Sequence, residues 1–386
     1  MQLLCILVVF IFITTNFIPS LAGLCRLSKG HQNYTCNGFR FREMTAGGKS
    51  NRQRIKRADI SDCKEFNVGE EPLRFPNLEV LILSCDIETI HVNGFKNLNR
   101  LKELDLGNNS ISSLPDGLFQ SLGELKKLNL SRNNFEELPR NIFNGLGNLK
   151  QLYISDNPIS KFDIKALDAV KKLEELSMSN NRLQVVPARL FSKLTKLKSL
   201  DLSYNSIEDL GNLFLFTYDL ENLNLSHNAL TDLSKQNFQS SNLRILDLSS
   251  NKLLVILEES FNLNKLEELY LQNNKISSFE VRGIGQNRIP LRHLDLRNNR
   301  LVYIEDNLIK VAKYLEILKI EGNPWDCNCY DKIVAASEDI SLEISEVYAD
   351  GELPLCVTGP SSGNECNVDK NNLDYYYNAF EAQLNA

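Results

Sequence analysis

The sequence has few of the residues that build a catalytic or metal centre. Its 386 residues include only four histidines, and no G-x-S-x-G or H-E-x-x-H segment occurs. An enzyme needs titratable groups that converge on one point. We therefore expect no enzymatic activity, no metal and no cofactor. The histidines are His31, His91, His227 and His293.

The chain also lacks an excess of positive charge and a long apolar segment. It carries 43 Lys and Arg against 49 Asp and Glu, so we expect no nucleic-acid partner. After residues 3–13 (LLCILVVFIFI) no stretch is apolar enough to span a bilayer. That run has the length of a signal peptide, and residues 20–22 (SLA) offer a cleavage site. We expect residues 1–22 to be a signal peptide and the mature chain to be secreted.

Cysteine is absent from the middle of the chain. Of the nine cysteines, Cys5 falls in the expected signal peptide, which leaves four near each end. An even number in a secreted chain predicts disulfide bonds. The eight are Cys25, Cys36, Cys63, Cys85, Cys327, Cys329, Cys356 and Cys366.

One pattern, L-x-x-L-x-L-x-x-N-x-L, recurs through most of the chain. Residues 101–114 (LKELDLGNNSISSL) and 197–210 (LKSLDLSYNSIEDL) both follow it. Steps of 23 to 25 residues separate the asparagines, which is the period of leucine-rich repeats. The asparagines are Asn109, Asn133, Asn157, Asn181, Asn205, Asn228, Asn251, Asn274, Asn299 and Asn323.

The repeat predicts an α/β solenoid with a curved parallel sheet on its concave face and short 3₁₀ or irregular segments on its convex face. Leu200 and Leu202 flank Asp201, so Asp201 should point away from the core. Asn205 should be a buried structural residue whose amide satisfies backbone groups at the bend. A phenylalanine about ten residues after the asparagine should anchor the convex return. These anchors are Phe119, Phe143, Phe191, Phe238 and Phe261.

We predict about 12 repeats over residues 55–325, between an N-terminal disulfide cap at 23–54 and a C-terminal cysteine cap at 326–370. Residues 371–386 are either a mobile tail or a short helix. In a helix, one stripe would hold Leu373, Tyr377, Phe380 and Leu384.

We make two further predictions for the N-terminal region. Cys25 and Cys36 suit a disulfide-closed hairpin. Residues 54–57 (RIKR) resemble a furin-type processing site ending at Arg57, and the alternative is a strand beside the first repeat.

Cys63 and Cys85 take the asparagine position in two degenerate repeats. Neighbouring strands lie about 4.8 Å apart, which is within the Cα separation of a disulfide. We predict a Cys63–Cys85 bond, with two buried free thiols as the alternative. The strand before Cys85 has two competing registers, with either Leu81 and Leu83 or Val80 and Ile82 inward.

Residues 323–329 (NPWDCNC), followed by two more cysteines, resemble the C-terminal cap of extracellular leucine-rich repeat proteins. That resemblance implies Cys327–Cys356 and Cys329–Cys366 bonds, although the residues alone allow three pairings. Trp325 and residues 333–335 (IVA) are expected to cover the open end of the core.

The two-cysteine N-terminal hairpin and the ladder cysteines resemble the mosquito leucine-rich immune proteins, in a short form without a coiled coil. The resemblance implies a secreted role in blood-phase innate immunity. Covalent dimers are not expected, because the chain has no heptad run and no spare cysteine. The partner would be another secreted protein or a microbial surface ligand. The alternative function is a structural matrix or cuticle-associated protein.

The predicted concave face supplies candidate binding residues. Tyr153 and Tyr270 are candidate anchors because tyrosine buries area and keeps a polar tip, and His293 lies near Tyr270. Asp201, Asp247 and Asp295 are expected to be solvated there.

Four N-x-S/T sequons predict glycosylation of a secreted chain. Two of them lie within concave strands, where glycans would move partner binding to the C-terminal half or the caps. The alternative is that these sites stay empty. The sequons are at Asn33, Asn108, Asn129 and Asn224.

Overall fold

The computed structural model divides the chain into two compact units, Met1–Asn157 and Pro158–Ala386. Each unit is described by itself. The expected signal peptide, Cys63 and most of the N-terminal cap lie outside the described residues. The described residues are 25–27, 32–37, 53–61, 73, 75–234, 236–238, 242–257, 260–261, 263–280, 290–304, 308, 312–337, 340–343, 354–360, 366 and 368–385.

The first unit is built on a sheet with seven short strands among its described residues. β1 and β2 form an antiparallel hairpin, and each later strand of the sheet pairs in parallel with the strand before it. The strands of the unit are β1 (Cys25–Leu27), β2 (Asn33–Asn37), β3 (Arg57–Ser61), β4 (Val80–Ser84), β5 (Glu103–Asp105), β6 (Lys127–Asn129), β7 (Glu137–Leu138) and β8 (Gln151–Tyr153), of which β7 lies outside this sheet.

The second unit has eight parallel strands in its main sheet, again counted over the described residues. β14 and β16 pair separately, and β9 is outside the main sheet. The strands are β9 (Lys161–Phe162), β10 (Glu175–Ser177), β11 (Ser199–Asp201), β12 (Asn222–Asn224), β13 (Ile245–Asp247), β14 (Val255–Ile256), β15 (Glu268–Tyr270), β16 (Ser278–Phe279), β17 (His293–Asp295), β18 (Ile317–Lys319) and β19 (Ser341–Leu342).

Strand alternation places the leucines of the repeat in the core. The middle residue of each three-residue strand from β5 to β18 in the main sheets is buried, and in most of these strands both neighbours are half-exposed. In β4, Leu81 and Leu83 are fully buried, which settles the register in favour of that pair. In β3, Ala58 and Ile60 are buried and Arg57 bonds to Asp59.

The convex returns are turns closed by hydrogen bonds from residue i+3 to residue i. Leu122 donates to Phe119 at 2.9 Å and Leu194 donates to Phe191 at 2.9 Å, which is the 3₁₀ pattern. Pro187 begins such a turn, since its carbonyl accepts from Leu190. All five predicted phenylalanine anchors are buried, as is Phe95, ten residues after Cys85; the sequence analysis missed one more residue of this kind, Phe214.

The recurring asparagine ties each repeat to the one before it. The Asn228 Oδ1 accepts from the backbone N–H of Ile207 at 2.9 Å. Its Nδ2 donates to the carbonyls of Leu202 at 3.0 Å and Leu225 at 3.1 Å. Nine of these asparagines are at most 8% exposed. Asn205 makes the same bonds but is half-buried, so our expectation of full burial there was wrong.

Asn228→Ala should lower the free energy of unfolding by about 1–3 kcal/mol, because the buried Ile207 N–H loses its acceptor and the carbonyls of Leu202 and Leu225 each lose one donor. Asn222→Ala is the matched control, since Asn222 is exposed on β12. Denaturant unfolding of both variants measures the difference. Equal midpoints for the two would contradict a structural role for the asparagine.

A left-handed backbone residue precedes each of these asparagines. Nine of these ten residues are not glycine and have φ between 52° and 59°, and five of the nine are Asn or Asp, which tolerate this region; the tenth is Gly322 at φ 70°. Tyr204 and His227 are bulky exceptions at φ 53° and 54°. Bulky residues adopt the left-handed conformation at a cost in free energy of about 1–3 kcal/mol each.

Among the described residues of the C-terminal cap, there are two disulfide bonds and two helices. Cys327 bonds to Cys356, and Cys329 bonds to Cys366. Helix α1 (Cys327–Ala336) begins after Asp326, whose Oδ1 accepts from the backbone N–H groups of residues 328 and 329. A 3₁₀ turn (Lys370–Asn372) leads into helix α2 (Leu373–Leu384).

Helix α2 packs onto the cap instead of remaining a mobile tail. Tyr376 and Phe380 are buried against Val302 and Val357, and the Tyr376 hydroxyl donates to Asp326 Oδ2 at 3.0 Å. The predicted stripe missed Tyr376 and wrongly included Leu384, which is exposed.

Trp325 is fully buried, whereas Val334 and Ala335 of α1 are exposed. The expectation that residues 333–335 cover the core end was therefore wrong for Val334 and Ala335, while Ile333 is half-buried.

The N-terminal cysteines are described only in part. Cys25 lies opposite Cys36 in the antiparallel register, and a bond between them stays a prediction. Cys85 is buried and disulfide-bonded, with its bonding partner outside the described residues. The Cys63–Cys85 pairing also stays a prediction. Within the described ranges, no helix is both long and apolar enough to cross a bilayer.

Candidate binding surface

The candidate surface is the open sheet face, which we define as the side chains on the strands, and on the turns that directly follow them, that lie outside the buried leucine core. One column runs along it through the third position of each strand, and the register aligns its members within each unit. In the first unit the column holds Asp105, Asn129 and Tyr153. In the second unit it holds Ser177, Asp201, Asn224, Asp247, Tyr270, Asp295 and Lys319.

The acidic members of this column are not simply solvated. The Oδ1 atoms of Asp201 and Asp247 each accept from the backbone N–H two residues later, at 3.0 Å and 2.9 Å. These are Asx turns that end the strands. Asp295 is 1% exposed and makes the same turn. The expectation of solvated carboxylates was wrong for Asp295, because Arg297 covers it.

Tyr153 lies half-buried on β8 of the first unit. The Lys127 ammonium sits 5.8 Å from the centre of its ring, a cation–π contact. The contact fixes one side of the ring.

Tyr270 and His293 are in contact on the second unit. Their ring centres lie 4.8 Å apart, and the Tyr270 hydroxyl donates to Glu268 at 2.7 Å. Burial, followed by this bond to Glu268, raises the pKa of Tyr270 well above its usual range. Burial, and secondarily the nearby Lys319, lowers the pKa of His293. The imidazole is therefore held toward its neutral form.

Two ion pairs lie next to these rings. The Arg297 guanidinium makes three hydrogen bonds to Asp295, the shortest at 2.6 Å. The bonds to Asp295 raise the pKa of Arg297 further. Lys319 pairs with Glu343 at 2.6 Å.

The sequence analysis missed several residues of this face. Arg297, Gln272 and Glu321 follow successive strands by two residues, where most other repeats have serine, and that departure was the available signal. Tyr204 and His227 stack in parallel with ring centres 4.0 Å apart, and Tyr204 is 54% exposed. Their signal was an aromatic ring where the turn usually holds Asn or Asp.

The four sequon asparagines lie in different settings. Asn33 is exposed on β2, and Asn108 is exposed in a left-handed turn. Asn129 is half-buried, and its Nδ2 donates to Asp105 at 2.9 Å. Asn224 is half-buried, and its Oδ1 accepts from the backbone N–H of residue 226 at 3.0 Å.

In the described part of the chain, no three His, Cys, Asp or Glu side chains group closely enough to hold a metal ion. The chemistry available at the open sheet face is contact by rings, ion pairs and hydrogen bonds.

Two family models match the sequence of this chain. The leucine-rich repeat region model matches residues 63–215, and a second leucine rich repeat model matches residues 218–276. The chain is a leucine-rich repeat protein. This match confirms the predicted fold class. Leucine-rich repeat solenoids are typically binding scaffolds without catalytic activity. No curated protein matches the chain.

Solved structures share the fold of this repeat protein at low identity. A TLR13–ssRNA13 complex matches at 26% identity and TM-score 0.55 over 74% of this chain and 38% of that one. The Drosophila Toll–Spatzle complex matches at 22% identity and TM-score 0.60, over 75% of this chain and 42% of that one. The LRIM1/APL1C complex matches at 23% identity and TM-score 0.60, over 84% of this chain and 68% of that one. The chain thus spans about two fifths of the first two, and the last two likenesses show the fold alone.

Proposed function

We propose that this chain is a secreted recognition protein of innate immunity that binds another secreted protein through the open sheet face of its second unit. The observation that carries the proposal is the Tyr270–His293 contact, a preorganised aromatic pair beside two ion pairs. Interfaces are enriched in tyrosine and arginine, and rings fixed before binding lose little entropy.

The disulfide-bonded cap agrees with a secreted protein, because such bonds persist in oxidising compartments. The immune role is supported by the mosquito family resemblance and by the immune receptors among the proteins of similar fold. A microbial surface ligand is the second target class. A matrix or cuticle role remains the alternative function.

Glycans would favour the second unit as the binding site. Asn129 is the strand partner of Tyr153, so a glycan there would crowd that tyrosine. Gly107 leaves room beside the Asn129 amide, where a Cβ atom would come within 2.7 Å of its Nδ2. Glycosylation replaces one amide hydrogen and keeps the other for Asp105. A glycan on Asn224 would leave β15, β17 and β18 free, because β13 separates β12 from β15.

We expect peptide mapping of the natively secreted protein to find glycans on Asn33, Asn129 and Asn224. Enzymatic release in heavy-oxygen water marks each modified asparagine by its mass. The unglycosylated Asn222 on β12 is the internal control. Bare Asn129 and Asn224 in the native protein would remove this argument for the second unit.

The function itself is tested by capture from cell-free haemolymph. Tagged native protein should retain one or a few defined proteins in amounts that rise after infection. A Tyr270→Ala protein should lose them. Deposition of the protein in a detergent-insoluble tissue fraction, with no soluble partner, would instead favour the matrix role.

A further inference from the structure

Three buried side-chain atoms on the second unit have no hydrogen-bond partner among the described residues. They are Gln272 Oε1, His293 Nε2 and Glu321 Oε2. A carboxylate oxygen can only accept hydrogen bonds, and an imidazole nitrogen without a proton also accepts. Leaving a buried acceptor unpaired costs about 1–3 kcal/mol, and more when it is charged. A donor-bearing ligand that reached these atoms would supply the missing hydrogen bonds.

The three acceptors lie on neighbouring strands of one face. Gln272 and Glu321 flank Arg297 in the column two residues beyond Tyr270, Asp295 and Lys319. The backbone confirms this order, because Asn273 donates to the Arg297 carbonyl and Asn298 donates to the Glu321 carbonyl, both at 3.0 Å. His293 lies on β17, between the strands that precede the other two.

Charge at this cluster is only partly balanced. Arg297 is engaged by Asp295 through three bonds, and Lys319 is engaged by Glu343. Arg297 Nη1 stays 3.9 Å from Glu321 Oε1, which is beyond hydrogen-bond distance, and the Glu321 side chain is only 6% exposed. Glu321 is therefore a buried carboxylate that is weakly compensated.

We propose that Gln272, His293 and Glu321 bind an arginine side chain of the protein partner, which rests on the proposed function and gives it a chemical target. A guanidinium offers five donors and no acceptor, in a planar fork that can reach more than one acceptor. The carboxylate of Glu321 supplies the opposite charge. The depressed pKa of His293 keeps its ring uncharged beside a cation.

The probe is the peptide acetyl-Gly-Arg-Gly-amide, with its citrulline counterpart as a neutral isostere. Because the chain has only four histidines, the His293 Hε1 resonance can be assigned with a His293→Gln variant. The arginine peptide should shift that resonance saturably, and the citrulline peptide should not. Glu321→Gln should weaken arginine binding about tenfold, the loss of one charge-assisted hydrogen bond.

Glu316→Gln is the matched control, because it removes the same charge from an exposed glutamate paired with Arg292. It should leave arginine binding unchanged. Equal responses to both peptides, or equal binding by the Glu321 and Glu316 variants, would overturn the proposal. If Glu321→Gln fails to fold, Gln272→Met decides: it should also weaken binding, and unchanged binding would overturn the proposal.

The two proposals fail separately. If Tyr270→Ala abolishes partner capture while Glu321→Gln leaves it intact, the arginine site is wrong and the binding function stands. If arginine binding shows the expected pattern but native protein captures no partner, the site stands and the function is wrong.

Discussion

Trp325→Ala should lower the free energy of unfolding by about 3–5 kcal/mol, the range for removing a large buried aromatic side chain. Trp325 is fully buried, and its Nε1 donates to the Ile320 carbonyl at 2.8 Å. The variant would leave a cavity at the end of the repeat core, and the Ile320 carbonyl would keep only its bond from Asn323 Nδ2 at 2.9 Å. The Trp325 carbonyl also accepts from Val357 at 2.7 Å, so the cavity would lie next to the disulfide-bonded cap.

Denaturant unfolding followed by circular dichroism measures this effect, since the variant loses the only tryptophan. Tyr218→Ala is the control, because Tyr218 is 50% exposed and its loss opens no cavity. A Trp325→Phe protein should fall between the two. Losses of the same size for Trp325→Ala and Tyr218→Ala would show that the tryptophan does not seal the core.

Gly145→Ala should destabilise the first unit by about 2–5 kcal/mol, combining backbone strain with overpacking. Gly145 has φ 98°, and a Cβ there would come within 2.4 Å of the Phe119 carbonyl oxygen. The obstacle is backbone of the preceding repeat, so it cannot move aside cheaply.

Gly147→Ala is an unusually close control, because a Cβ at that glycine would meet nothing within 4 Å. It should be neutral or slightly stabilising. Thermal melting of the two variants side by side gives the comparison. A Gly145→Ala protein as stable as Gly147→Ala would contradict the described packing of this return.

The periodic elements could be predicted from the sequence because the same pattern of leucines and asparagine recurs in every repeat. Leucine alternation gives the strands, and the asparagine has one role that its amide chemistry suits. The β4 register was ambiguous because Val80, Leu81, Ile82 and Leu83 are all apolar, and only packing against neighbouring strands selects Leu81 and Leu83.

The candidate site was predictable only in part. Tyr270 and His293 stand out by residue type and spacing. The covering of Asp295 by Arg297 depends on where a long side chain settles, and periodicity does not state this. Tyr376 was missed for a similar reason, since its burial depends on a hydroxyl contact with Asp326, fifty residues away.

The most direct test of the central claim compares Tyr270→Ala with Tyr153→Ala in partner capture from haemolymph. Both are half-buried tyrosines at the same column position, one in each unit. Circular dichroism first verifies that both variants are folded. Tyr270→Ala should then lower the affinity for the partner at least about tenfold, the loss expected for an aromatic anchor. Tyr153→Ala should bind like the unmodified protein. Loss of binding with Tyr153→Ala and retention with Tyr270→Ala would contradict the claim that the second unit holds the binding surface.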